Sequence, residues 1–557
     1  MTVGVPNGKE LRVYKGNQPN MDPNGEIALF DFLFKQDGRL PLDRKIYIDS
    51  SDPTRYLTYG ELAEKSLQCA AAYKHRFGLQ KGDVIAICSP NDIRCPIFFF
   101  GAIAAGCVIT LLDHSATSTP KNILTELTTT KPKLFIMHQS QKDFAFDAAK
   151  KVGLTEENIL LLQDNEALQD NTHPHFLTAD DTLLSHDTTI EPYAYSKDDL
   201  LNTPSCLYFT SGSTGNRKAC MIKQNSLVCL LQYTSKSIPI GCLSIVTTSG
   251  FSFVSSLVKH FMFAVYFGIS VYVYRGGKNA LEDLCSITDK YKLNLLLLSP
   301  HLATVFVRKS EIRRKYDLSS LKKIFVGGSH TDMTLMKLSK QEFGFPYTNT
   351  FGMTECIGVF EQTEERALIG SVGKLTYGMS ARIVDQDGND VPLGEPGELR
   401  LKGPMTTIGY YGNEKETAKL FDEYGYLRTG DMFRMDQDGL FYYITRYKDL
   451  IKYHRFHIYP IEIEEVLSKH PSVMECAVVG VYSEQEAVEL PRAYVILAEQ
   501  EQNKENALKD ILDYVHSQVH DSRKLRGGIY QLTSFPRTPS GKIKRRELVA
   551  MANQENV

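Results

Sequence analysis

Short apolar runs alternate with amphipathic stretches from about Tyr56 to Met137. The segment YGELAEKSLQCAAAYKHRFG carries apolar residues at helical spacing and stops at Gly78, which predicts an amphipathic helix. DVIAIC follows the Lys81-Gly82 turn and KLFIMH follows Pro132. Both are continuous apolar runs, as strands covered on both faces are. Between them CPIFFFGAIAAGCVITLL, Cys95 to Leu112, carries no charge and reaches the length of a membrane span. Gly106 divides it, and the β-branched CVITLL after the glycine reads as a strand, so a buried helix followed by a buried strand is expected. LSIVTTS, ISVYVY, LNLLLL and KKIFVGG supply further strands. Alternation of this kind builds mostly parallel sheets with helices on both faces. Residues 163–199 are polar and broken by prolines, and are expected to form an exposed connection.

The texture changes after about residue 380. ARIVDQDGNDV and FRMDQDGLFYYI each hold an Asp-Gly turn between strand-like runs, which predicts hairpins. From Pro460 a compact unit follows: helix PIEIEEVLSKH, strands CAVVGV and RAYVIL, helix NALKDILDYVHSQV and a basic tail. The expected fold class is α/β. A large N-terminal region of mostly parallel sheets with flanking helices carries a hairpin-rich β subdomain, and a small α+β domain follows.

Composition narrows the picture. A chain of 557 residues is too long for one core. With 42% hydrophobic and 23% charged residues it is an ordinary globular protein. The formal net charge of −3 gives no electrostatic footprint for nucleic acid or an anionic membrane. The 11 cysteines are dispersed without a C-x-x-C pair, which reads as reduced, buried thiols with neither zinc site nor disulfide framework. MTVGVPNGKELRVYKG lacks the apolar core of a signal peptide, and MANQENV is not a Ser-Lys-Leu address, so the expected setting is cytoplasmic with no membrane span.

The candidate chemistry starts at YFTSGSTGNRKAC, Tyr208 to Cys220. Gly212 and Gly215 let backbone N–H groups approach an anion, Thr210, Ser211, Ser213 and Thr214 add hydroxyls, and Lys218 adds a charge. The Walker pattern is not met, because Lys218 follows Asn216 and Arg217. Alone, the stretch also reads as an ordinary Ser/Gly-rich turn. Four further stretches accompany it: TFGMTEC with Glu355, YLRTGDM with Asp431, ITRYKDLIKYHRFHIYPIEIEEVL with Arg446, Lys448 and Lys452, and PRTPSGKIKRREL with Lys542. Singly, Glu355 reads as a solvated carboxylate, Asp431 as a helix cap and Lys542 as a basic loop residue.

In this order and spacing the five stretches resemble the adenylate-forming (AMP-binding) superfamily. Its members include acyl-CoA synthetases, 4-coumarate:CoA ligases, beetle luciferases and the adenylation domains of peptide synthetases. The resemblance runs from Leu57 to Leu548, and KLRGG and LIKY are most similar to the luciferase and coumarate-ligase branch. It implies ATP, Mg²⁺ and coenzyme A, and a chain divided into an adenylation domain, 1–447, and a mobile domain, 448–557, hinged near Lys448. It further implies that Thr210, Ser211, Gly212, Ser213, Thr214, Gly215 and Lys218 hold the β- and γ-phosphates. Phe351 and Gly352 would meet adenine, Thr354 the α-phosphate, Glu355 the magnesium ion, and Asp431 with Arg446 the ribose. The acid would lie against Gly250, Phe251, Phe253, Gly327, Gly328 and Thr350. Lys542 would bridge the carboxylate and α-phosphate, and Lys452 would serve the second half-reaction. The implied activity is activation of a carboxylic acid to an acyl-adenylate, then transfer to coenzyme A. Transfer to an amine or other non-thiol acceptor, and a non-catalytic ligand-binding relative, are the alternatives.

Three departures from the family pattern stand out. Arg217 replaces a frequent proline and reads as a change of loop stiffness alone. Ser249 and Gly250 stand where the acyl loop often carries a histidine. Arg455 takes the place of a glycine beside the pantetheine tunnel. No carboxylate lies between Ile245 and Arg275 to pair an ammonium, so the expected acid is an apolar fatty or aryl one without an α-amino group.

Overall fold

The computed structural model describes every residue except 1, 5–9, 17–26, 37, 115–118, 165–175, 186–187, 211–216, 235–242, 278, 329, 331, 499–503, 539–540 and 556–557. Two seven-stranded sheets form the frame. In the first, Leu177–Thr178, Ile159–Leu162, Leu134–His138, Val84–Cys88, Val108–Leu111 and Pro204–Thr210 run parallel, and Lys218–Lys223 closes the edge antiparallel. In the second the order is Thr348–Thr350, Lys323–Gly327, Leu295–Leu298, Ser244–Val246, Ser270–Val273 and Lys45–Asp49, all parallel, with Tyr56–Thr58 antiparallel at the edge.

The apolar runs become strands because helices cover both faces; every residue of Val84–Cys88 is buried. The helix Tyr59–His75 starts on a capping box between Thr58 and Glu61. The uncharged segment divides as expected. Cys95–Ala104 is a buried helix, Gly106 turns the chain at φ 81°, and Val108–Leu111 is a buried strand. Among the described residues no helix is long and apolar enough to cross a membrane.

The described part of residues 163–199 holds more regular structure than an exposed connection. Leu177–Thr178 adds an edge strand, Leu183 is wholly buried in the turn Asp180–Leu184, and Lys197–Asn202 is a helix capped by Ser196. Elements this short have too few residues to show a period.

A five-stranded antiparallel sheet follows, in the order Phe441–Arg446, Leu427–Met435, Gly397–Lys402, Ser380–Val384 and Tyr14–Lys15. The turn at Asp438-Gly439 joins neighbouring strands as expected. The turn at Asp387-Gly388 closes only the bridge between Val384 and Asp390, and the true partner of Ser380–Val384 begins later, at Gly397. From Ile451 onward the chain has cores of its own. Val473–Ser483 pairs with Val488–Leu497, which takes Ile529–Gln531 alongside in parallel. The helices Pro460–Leu467 and Lys504–Gln518 flank one face, and Arg545–Glu555 covers the other.

Candidate active site

The site forms where the C-terminal unit meets the ends of the strands. Arg308 donates from Nη1 to the Val473 carbonyl at 2.9 Å and from Nη2 to the Ser468 carbonyl at 3.1 Å. Glu475 sits between His301, at 3.2 Å, and Arg537, at 2.5 Å. A Cβ on Gly541 would meet Ser299 Oγ at 3.1 Å, so the loop bearing Lys542 lies close against the larger body. Gly541 also holds φ 83°, which a side chain would strain.

This docking sets the half-buried Lys542 among charges from elsewhere in the chain. A Cβ on Gly328 would lie 3.4 Å from Lys542 Cε, so the lysine stem runs along bare backbone. Burial, then the charge of Arg446, pushes the ammonium down to about 8; Asp431 and Glu355 oppose the shift. Asp431 and Arg446 face each other across the strand pair, with Arg446 Nε 3.3 Å from Asp431 Oδ1. Burial raises the Asp431 carboxyl to about 6 against the pull of Arg446 and Lys542. Folded Asp431 therefore holds its proton more tightly than the unfolded residue, so this group withdraws stability as pH rises through the window up to about 6.

Glu355 is buried and accepts a hydrogen bond from the Tyr410 hydroxyl at 2.7 Å. The Tyr410 ring lies 4.9 Å from the Lys218 ammonium, which also pairs with Glu416. Tyr410 thus links the carboxylate implied for magnesium to the lysine implied for phosphate. The Thr354 carbonyl accepts from Cys220 Sγ at 3.3 Å, tying that turn to the strand that starts at Lys218. Phe351 packs edge-on against Phe433 at 4.9 Å, two residues along the strand from Asp431. Gly352 is exposed, with open space where a Cβ would stand. Among the described residues no group of three metal-ligating side chains exists.

Thr210 ends its strand opposite Lys218. Ser211, Gly212, Ser213, Thr214 and Gly215 lie outside the described residues. Gly327 and Thr350 stand opposite each other in neighbouring strands, and a Cβ on Gly327 would meet Thr350 Oγ1 at 2.8 Å. Phe253 is half-buried beside Gly250, whereas Phe251 is wholly buried and packs on Phe261 at 4.9 Å. Lys448 sits in the exposed turn Tyr447–Asp449 between the last large-body strand and the C-terminal unit. Lys452 stands opposite His457 in the hairpin Ile451–Tyr453 and Phe456–Ile458, and Arg455 lies in its turn. The Lys452 N–H donates to Glu489 at 2.7 Å, and the Arg455 guanidinium stacks 5.3 Å from the Phe456 ring. The left-handed residue of that turn is His454, at φ 49°, so Arg455 occupies the glycine position without backbone strain.

Two departures acquire a physical meaning. Arg217 is more than a stiffness change. Its guanidinium pairs with the wholly buried Glu126 and, at 2.5 Å, with Asp113. Beside Gly250, where the sequence lacks the loop histidine, stands the ring of His114; a Cβ on Gly250 would lie 3.0 Å from its Cε1. Sequence reasoning missed Tyr410, Glu416, Glu126 and His114, each remote in sequence from the motif it meets. No local pattern announces such contacts.

Comparison with known proteins shows the family and the fold. The AMP-binding enzyme family model matches residues 33–411, and its C-terminal domain model matches residues 462–542. The chain is 29% identical to 4-coumarate–CoA ligase-like 3 of Arabidopsis thaliana, over 97% of this chain and 95% of that one. Among solved structures, an anthranilate CoA ligase in complex with anthranoyl-AMP superposes with a TM-score of 0.84 at 21% identity, covering 96% of this chain and 99% of the other. An amide bond synthetase from Marinactinospora thermotolerans superposes at 0.78 with 18% identity, covering 94% and 99%. The longer family match takes in Lys218, the acyl loop, Glu355 and Tyr410, and the C-terminal match reaches Lys542: the chain belongs to the AMP-binding enzyme family.

Proposed function

We propose that the protein is an acid–thiol ligase. In the first step a carboxylate oxygen of the acid attacks the α-phosphorus of ATP and the bond to the β-phosphate oxygen breaks. The products are an acyl-adenylate and pyrophosphate. In the second step the thiol of coenzyme A loses its proton and attacks the acyl carbon, and AMP leaves. The observation that carries this reading is the convergence of Lys542 with Asp431, Arg446 and Glu355 against bare Gly328. Fixed charges are most effective where charge builds up in the transition state.

Within this reading Asp431 and Arg446 bind the ribose, Phe351 flanks adenine, and Thr354 meets the α-phosphate. Lys218 and the loop from Thr210 to Gly215 hold the departing phosphates. Glu355 would hold a magnesium ion together with phosphate oxygens, a donor set that suits this hard cation. The ion would neutralise charge on the departing pyrophosphate. The boundary near Lys448 divides an adenylation domain from one that rotates to bring Lys452 forward for transfer. The free, mostly buried cysteines among the described residues support a reducing, cytoplasmic setting.

Pyrophosphate–ATP exchange driven by a panel of carboxylic acids tests the proposal. Fatty or aryl acids should support exchange and α-amino acids should not, because the acyl loop offers no carboxylate to an ammonium. Exchange driven best by amino acids, or by no acid at all, would overturn it.

One observation favours a second reading, adenylation with transfer to an amine. Arg455 brings a long hydrated side chain to the hairpin that would rotate toward the thiol. Arg455→Gly is expected to raise the coenzyme A-dependent rate and leave exchange unchanged. A lower thioester rate in the variant would make the arginine a ligand for a coenzyme A phosphate instead.

A further inference from the structure

Lys259 is a cation with no counter-charge among the described residues. It lies on the wide-turned helix Leu257–Phe263, which continues from the acyl loop. Helical turns of this π type occur often at functional sites. Its ammonium sits 4.3 Å from the Phe263 ring centroid and 4.3 Å from that of Phe325. Among the described residues no carboxylate pairs with it, and the other titratable groups that face it are His260, on its own helix, and Lys323, on the facing strand. Neither supplies negative charge. Two rings offset only part of what an ammonium loses on leaving water.

A second orphan stands on the same floor. In the second sheet Gly327 is opposite Thr350, and one pleat deeper Phe325 is opposite Thr348. Residues opposite each other in register project from the same face, so Thr348 shares the face of Phe325, Gly327 and Thr350. Thr348 is 1% exposed, and among the described residues its Oγ1 finds no hydrogen-bond partner. The upper pair adjoins Gly328 and the Lys542 stem. The lower pair lies about 7 Å further in, two residues along a parallel strand.

We propose that Lys259 and Thr348 form the floor of the acyl site and receive a second, distal carboxylate, so that the preferred substrate is an α,ω-dicarboxylic acid with an apolar middle. This rests on the ligase reading and sharpens it. One carboxylate reacts beside Lys542. The chain between passes Phe325 and the acyl loop, which accept methylene or aryl carbon. The far carboxylate takes a hydrogen bond from the Thr348 hydroxyl and neutralises Lys259. A plain fatty acid would leave the buried Thr348 hydroxyl and the half-buried Lys259 ammonium unpaired, and an unpaired donor held away from water is penalised.

Octanoate and suberate differ only in the distal group and are the probes. Wild-type protein should show a kcat/KM in pyrophosphate exchange about tenfold or more higher with suberate, the usual scale for a hydrogen bond to a charged group. Lys259→Met should reverse that order while octanoate exchange persists, Lys259→Arg should keep it, and Thr348→Val should narrow it. Burial holds Lys259 down at about 7, so the preference should also shrink as pH rises through neutrality and the ammonium loses its proton. Calorimetric binding of the two acids separates this idea from the ligase reading. Suberate binding that needs Lys259 upholds the floor even if no acid drives exchange, in which case only the ligase reading falls. A wild-type preference for octanoate, equal losses for both acids in Lys259→Met, or no Lys259-dependent binding would overturn the floor itself.

Discussion

Lys542→Ala is expected to lower acid-dependent pyrophosphate exchange by about 10²–10³, the usual loss when one preorganised electrostatic contact is removed from a reacting centre. The lysine is brought to the site by docking contacts that it does not itself make, among them Arg308 on the Ser468 and Val473 carbonyls and His301 on Glu475. The substitution should therefore leave folding and nucleotide affinity largely intact and act on kcat. Thioester formation from supplied acyl-adenylate should survive, since Lys452, on a different face, is implied to serve that step. Burial and Arg446 lower the Lys542 ammonium to about 8. The positive charge is present below that value and lost above it, so exchange should fall as pH rises past 8. Near-parental exchange in the variant would show that Lys542 takes no part in adenylate formation.

Arg217→Ala is expected to destabilise the fold by about 3–5 kcal/mol, the range for leaving a buried ion without its partner. Glu126 is wholly buried, and among the described residues its Oε2 already lacks a partner. Its Oε1 depends on Arg217, which also holds Asp113 at 2.5 Å. Burial raises the Glu126 carboxyl to about 7 even with the arginine present. The folded state thus holds a proton that the unfolded state releases, between the ordinary glutamate range and about 7. This group's contribution to stability therefore falls as pH rises through that window. Removing the guanidinium raises the folded value further, so the penalty should be larger at pH 8 than at pH 6. Urea unfolding at both pH values measures it, and Glu126→Gln in the same chain should restore much of the loss. Equal stability and equal pH slope in wild type and variant would show that the clamp contributes nothing.

Legibility followed the range of the interaction. Val84–Cys88 and Cys95–Ala104 were readable because a parallel strand and a buried helix write their burial into consecutive residues. The Asp438-Gly439 hairpin was readable because its turn chemistry is local, whereas the pairing of Ser380–Val384 skips past the nearer candidate turn to Gly397. The edge strand Leu177–Thr178 was not readable, since two residues carry no period. Arg217 shows the same limit at the site. The replacement of proline was visible, but its buried partners come from 91 and 104 residues away.

The sequence by itself determined the fold class, because apolar and polar spacing is written within a few turns of chain, and it pointed to the adenylate-forming chemistry through the resemblance of its five ordered motifs to that superfamily. Only the tertiary structure decided which charges meet. It set Asp431 opposite Arg446 and put Tyr410 between Glu355 and Lys218. It also stood His114 beside Gly250 and set the Lys259 ammonium between the rings of Phe263 and Phe325. Electrostatic partners are selected by distance and burial in space, and neither quantity is written in the local order of residues.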